Sequence, residues 1–169
     1  MNYIENKRFY DVSGVTNEEI TNCLNTLGPV RAGIRYRAYT SWYFGYLIRY
    51  TFKNNLVYIN TFWSKVNLTV SFDLPRWVGT SDTPLELRNK ITTYIKNITT
   101  HEQGHADIAK QYAKKIEESF KLISPRDNLN SIAFDLKTKI SELLTEHLVK
   151  QRAYDSETEH GHTQGAQWQ

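Results

Sequence analysis

The stretch "TTHEQGHADIAKQYAKK", Thr99 to Lys115, carries two histidines four residues apart with a glutamate beside the first. On a helix, residues four apart lie on one face, so His101 and His105 can aim two imidazole nitrogens at a single point. Glu102 is one step round the helix, better placed to hold a water than to bind a metal. Zinc held by three protein donors and a water lowers the pKa of that water to about 7, and a neighbouring carboxylate then takes its proton. This chemistry suits the hydrolysis of an amide. Gly104, a poor helix former, fits the same reading if another group must approach the helix closely. The competing reading is a solvated face on a Lys- and Glu-rich helix. At this chain's His and Glu frequencies, H-E-x-x-H arises by chance with a probability of roughly one in a hundred.

The third donor is open on these grounds alone. If two helices turn near Ser124-Pro125 and pack antiparallel, Glu142 to His147 come level with the His pair, and Glu146 becomes a sensible carboxylate ligand. Otherwise Glu146 is a surface residue pairing with Lys150 at i,i+4. The other candidates lie just beyond, in "YDSETEHGH": His160 foremost, then Asp155 and His162.

The elements that must position these groups are legible in outline. "VTNEEITNCLNTLGP" opens with an N-cap-like Thr16, spaces Ile20, Leu24 and Leu27 on one stripe and stops at Gly28-Pro29, which predicts a short helix. From Val30 to Phe72 the residues are β-branched or aromatic in broken alternation, interrupted at Gly45, Asn54-Asn55 and Ser64-Lys65. That pattern predicts an antiparallel sheet of three or four strands. "LPRWVGTSDTP" reads as a loop, with Pro84 suited to a first helical turn. Leu85 to about Leu122 then reads as one long helix or two collinear ones. "SPRDNLN" breaks it, and Leu129, Ile132, Leu136, Ile140, Leu143 and Leu144 mark a second amphipathic helix ending near Tyr154. The expected fold is α+β, with two long antiparallel helices carrying the site and a polar tail.

Composition narrows the classes. The 169 residues are 40% hydrophobic and 23% charged, an ordinary globular balance, which with this length predicts a single domain over 1–169. The net charge of +3 is small and its Lys and Arg are scattered, so no nucleic-acid partner is expected. Cys23 is the only cysteine, so an intramolecular disulfide and a Cys-rich finger are excluded and any metal must use His and carboxylates. No apolar run approaches a membrane span, and no membrane partner is expected. "MNYIENKRFYDV" lacks the basic start and apolar middle of a signal peptide, so the expectation is either the cytoplasm or a Met1 standing in place of a removed leader.

"HEQGHADIAKQYAKKI" followed some fifty residues later by "YDSETEHGHTQGAQW" resembles a family of bacterial proteins classed as a domain of unknown function and predicted to be secreted zinc-dependent proteases. The family pattern pairs the H-E-x-x-H helix with a C-terminal Y-D-x-x-T-x-H-G element and a following Q-G-A. Here these fall on Tyr154, Asp155, Thr158, His160, Gly161, Gln164, Gly165 and Ala166. The front, with "YDVSG" and "YRAYTSWYFGY", is also similar. The resemblance implies a zincin-like metalloprotease, a peptide or protein substrate, and a secreted or periplasmic location. It favours His160 over Glu146 as third ligand, since a recurring His-Gly pair reads as a ligand plus a tight turn.

The expected mechanism therefore has zinc on His101, His105 and His160, with Glu102 as general base. Tyr154 would hydrogen-bond the oxyanion, and Asp155 would orient an imidazole. The aromatic strands present either an edge for an extended peptide or plain core packing. A second expectation from another class is a non-catalytic module closed by four ligands, His101, His105, Glu146 and His160.

Overall fold

The structure is a computed structural model describing residues 1–169. In chain order the elements are β1 (Asn2–Val12), α1 (Asn17–Thr26), β2 (Val30–Arg31), β3 (Ile34–Arg35), β4 (Tyr39–Leu47), β5 (Tyr50–Lys53), β6 (Leu56–Ile59), β7 (Lys65–Trp77), α2 (Leu85–Ser119) and α3 (Leu129–Glu157). A 3₁₀ turn, His162–Gln164, follows. The fold is α+β, as the periodicities predict.

Thr16 caps α1 through a reciprocal capping box with Glu19, and Ile20 and Leu24 are its buried stripe. Leu27, expected on that stripe, is the C-cap and 52% exposed. The three-stranded sheet has the order β1-β7-β4, and β2-β3 and β5-β6 form separate hairpins. Asn54 and Asn55, with φ of 52° and 59°, make the tight β5-β6 turn.

Two features differ from the sequence reading. The sequence reading does not predict β1: eight of its eleven residues are exposed, so it lacks the alternation by which a half-buried strand is recognised. Side-chain pairs Asn2–Asn67, Asn6–Ser71, Arg8–Asp73 and Arg76–Asp11 all share an offset of 65, so β1 runs parallel to β7. β7 extends to Trp77, through the front of the expected loop. Its alternation is strict, with Val66, Leu68, Val70, Phe72 and Leu74 all buried.

The chain divides into two compact units, Met1–Ile4, Trp42–Val70 and Asp107–Arg152 in the first and Glu5–Ser41, Ser71–Ala106 and Ala153–Gln169 in the second. The divisions fall inside β1, β4, β7, α2 and α3. The first unit's core includes Leu68, Ile116, Phe120 and Ile132; the second's includes Val12, Ile20, Phe72 and Ile91. In the first unit the buried His147 is ringed by Trp42, Phe44 and Tyr112 at 5.0–5.4 Å and bonded to Gln151, a core position.

α2 and α3 run antiparallel: Tyr112 meets His147, while His105 meets Tyr154. The level expected for Glu146 is wrong by several residues. The pairs Tyr112–His147 and His105–Tyr154 both centre on residues 129–130, past the whole connection between Ser119 and Leu129, so the two helices are not level at equal counts from Ser124-Pro125. Glu146 lies on the exposed side of α3.

Candidate metal centre

The buried stripe of α2 in the second unit runs through Ile91, Tyr94 and Ile98 to His101, Glu102, His105 and Ala106. The motif therefore continues the core-facing side of the helix, with His101 and Glu102 each 6% exposed. A solvated polar face does not have this burial. Four-residue spacing brings the two imidazoles to a centroid separation of 4.9 Å.

α3 continues three residues past Tyr154, and that extra turn carries Asp155 to the pair. Its Oδ1 lies 3.4 Å from His101 Nε2 and 3.0 Å from His105 Nε2. Donor atoms of these three residues all fall within 4.8 Å of one another, a grouping able to hold a metal ion. Tetrahedral donors at zinc bond lengths stand roughly 3.3–3.5 Å apart, so these spacings suit one small cation with little rearrangement. Burial pushes the Asp155 carboxyl up, but the hydrogen bonds and charge of His101 and His105 outweigh it and hold the group well below the usual carboxylate range.

His160, the preferred third ligand on resemblance, is not in this group. Its side chain is 84% exposed and its Nδ1 is 3.9 Å from Asp155 Oδ1, at the rim. The physical reason is the turn: Glu159, His160 and Gly161 have φ of 49°, 54° and 86°, and the left-handed run swings the imidazole outward. Gly161 is the residue that packs inward, where an added Cβ would stand 3.1 Å from His101 Cγ. His162 turns away to Glu159 at 2.7 Å.

The tail fixes the orientation of His101. Its Nδ1 lies 3.0 Å from Gln164 Oε1, which can only accept, so Nδ1 carries the proton and Nε2 keeps its lone pair for the centre. Gln164 Nε2 in turn donates to Tyr154 Oη at 3.1 Å, and Tyr154 Oη donates to the His101 carbonyl at 3.0 Å. Tyr154 also stacks on His101, with the rings 5.1 Å apart and 13° from parallel. The hydroxyl is thus engaged beneath the histidine, so here Tyr154 positions His101. Thr158 closes the turn by accepting from the Gly161 N–H at 3.2 Å.

Glu102 sits between the donor group and β4, within the electrostatic reach of His105, His101 and Asp155. The Thr40 hydroxyl donates to its Oε2 at 2.6 Å. Burial pushes the Glu102 carboxyl up; the Thr40 bond and the nearby His105 and His101 oppose this without cancelling it. A carboxyl raised toward neutrality and held by one oxygen is suited to take and return a proton.

Thr40 and Gln164 were not singled out as working residues from the sequence. Thr40 lies in a strand of similar residues and carries no local signal. Gln164 had one, its place in the Q-G-A element.

No curated protein and no solved structure matches the chain. Residues 7–161 match the model of a family described as a bacterial protein of unknown function, DUF922, so the chain belongs to that family.

Proposed function

We propose that this protein is a zinc-dependent metallopeptidase whose zinc is held by His101 Nε2, His105 Nε2 and Asp155 Oδ1. The observation that carries the reading is the convergence of two imidazole nitrogens and one carboxylate oxygen on one point, with a second, buried carboxylate beside it. The donor set fits zinc: neutral imidazoles and a carboxylate suit a borderline cation, and the outer nitrogen of His101 is already satisfied by Gln164.

Zinc, when bound, would supply the positive charge that makes a water acidic near neutrality and polarises a peptide carbonyl. Glu102 would take the proton from that water and hand it to the leaving amine, while Thr40 holds Oε2 and leaves Oε1 to work. Gln164 and Tyr154 keep His101 in the one tautomer and ring orientation that can bind the ion. Asp155, charged through the neutral range, offsets the charge of the ion.

Three donors favour an enzyme over a structural site, which closes with four. Glu146 is exposed and gives a four-ligand site no support. A secreted or periplasmic location belongs to this same proposal.

The test is Glu102→Gln, whose amide keeps the shape but cannot accept a proton. The variant should bind one equivalent of zinc and fail to cleave unfolded casein or the protein's own termini. Cleavage at the parental rate would remove Glu102 from the mechanism.

A further inference from the structure

Away from the metal centre, the turn Asn60–Ser64 before β7 holds two large aromatic side chains in water. Phe62 is 73% exposed and Trp63 63%, and their rings meet edge to face at 4.8 Å. Side chains of this size ordinarily bury most of their area, and a group of exposed ones marks an interaction site. The turn that displays them is firmly built. Ser64 is fully buried, its N–H donates to Asn60 O at 2.9 Å, and Asn60 Oδ1 accepts from the Trp63 N–H at 3.2 Å. Its hydroxyl accepts from the Arg49 N–H at 3.0 Å, and the Asn60 N–H donates to Arg49 O at 2.7 Å. The rings are thus presented by a backbone fixed to Arg49 at both ends.

The stretch of chain that carries the turn has charge of one sign. Between Glu19 and Asp73 the sequence contains no Asp or Glu, yet it holds six Lys and Arg residues. Two of them, Arg49 and Lys65, flank the turn. The carboxylate whose field reaches Lys65 is Glu117, and it is already taken by the Met1 ammonium at 2.7 Å and the Val66 N–H at 2.9 Å.

We infer that the Asn60–Ser64 turn docks the protein on an anionic lipid bilayer, with Phe62 and Trp63 entering the headgroup layer and Arg49 and Lys65 lying against lipid phosphates. Aromatic rings of mixed character settle at that depth, and neighbouring cations add attraction to anionic headgroups. The contact is peripheral. No helix is long and apolar enough to cross a membrane, and the expectation of no membrane partner, drawn from spanning segments, does not bear on a surface contact.

The experiment is co-sedimentation of the full chain with phosphatidylcholine vesicles prepared with and without phosphatidylglycerol. Binding should require phosphatidylglycerol and weaken as salt is raised. Phe62→Ser combined with Trp63→Ser should cut the partition coefficient at least about tenfold. Arg49→Gln combined with Lys65→Gln should cut it about thirtyfold at low salt, roughly fivefold per cation. Because Phe62, Trp63 and Arg49 are exposed, Lys65 is half-buried, and the turn is held to Arg49 through the Arg49 backbone, the melting temperature should stay put, which separates lost docking from lost folding. Absence of binding to phosphatidylglycerol vesicles at low salt would overturn the inference, as would undiminished binding by the aromatic double variant. Equal binding to heparin that survives loss of both rings would also overturn it, in favour of a soluble anionic polymer.

Discussion

The Tyr154 ring lies so close over Gly104 that a methyl group on Gly104 would stand 2.1 Å from Tyr154 Oη and 2.3 Å from Cζ. The same ring stacks on His101 and meets the edge of His105, so the bare backbone at Gly104 lets α3 deliver both Tyr154 and Asp155. In an exposed helix, Gly→Ala stabilises by about 1 kcal/mol. Here the overlap should cost more than that, since overpacking runs to about 1–3 kcal/mol and the Tyr154 ring is held in place by its bonds to the His101 carbonyl and Gln164. Gly104→Ala should therefore lower the melting temperature and release zinc. Thermal unfolding with and without a chelator, alongside metal analysis, would check it; a more stable variant with full zinc would rule out this packing.

The choice between Asp155 and His160 separates cleanly by substitution. Asp155→Asn keeps volume but removes the charge and one strong donor, so zinc affinity should fall by about two orders of magnitude or more. His160→Ala, at a side chain 84% exposed, should leave stoichiometric zinc in place. Metal analysis after dialysis against a weak chelator decides, and the reverse pattern would return the third ligand to His160.

How much of this was legible depended on whether a residue's role is written locally. His101, Glu102 and His105 share one helix face, so spacing alone brought them together. Asp155 reaches them through the register of two helices, and that register hangs on where a turn begins and ends. An estimate centred on Ser124-Pro125 put Glu146 at the site. The observed pairing, Tyr112 with His147 and His105 with Tyr154, centres on residues 129–130 and brings Asp155 there instead. The conformation that turns His160 outward rests on three successive positive φ angles, which an H-G pair hints at without fixing. β1 was invisible for a different reason: an exposed strand leaves no alternation to read.

Thr40 should matter through Glu102 alone. Thr40→Val removes the hydroxyl that donates to Oε2 at 2.6 Å, in a site where both residues are buried. Hydrogen bonds to charged groups contribute about 1.5–3 kcal/mol, so turnover should drop by about one to two orders of magnitude while zinc stays bound. Thr40→Ser, which restores the donor, should recover most of the loss. Equal activity in the Val and Ser variants would show that the carboxylate does not depend on this bond.

The steepness of zinc loss in acid should count the imidazoles at the site. Each histidine must be deprotonated to bind, and imidazoles ordinarily titrate near pH 6.5, roughly, so every histidine ligand adds one competing proton below that value. Asp155 adds none in this range. Although burial pushes its carboxyl up, His101 and His105 hold it below the ordinary carboxylate value, so it stays ionised as the imidazoles protonate. The sign for the metal-free protein follows: the stability that Asp155 contributes is fully present above its unfolded pKa of about 3.9 and is lost only as pH falls from there through the depressed folded value. The logarithm of zinc affinity should thus fall with a limiting slope of about two per pH unit below neutrality, against about three for a three-histidine site. Competition with a chelator of known proton affinity, at constant ionic strength, measures this slope. A limiting value near three would mean that the His160 imidazole comes in from the rim to bind the metal.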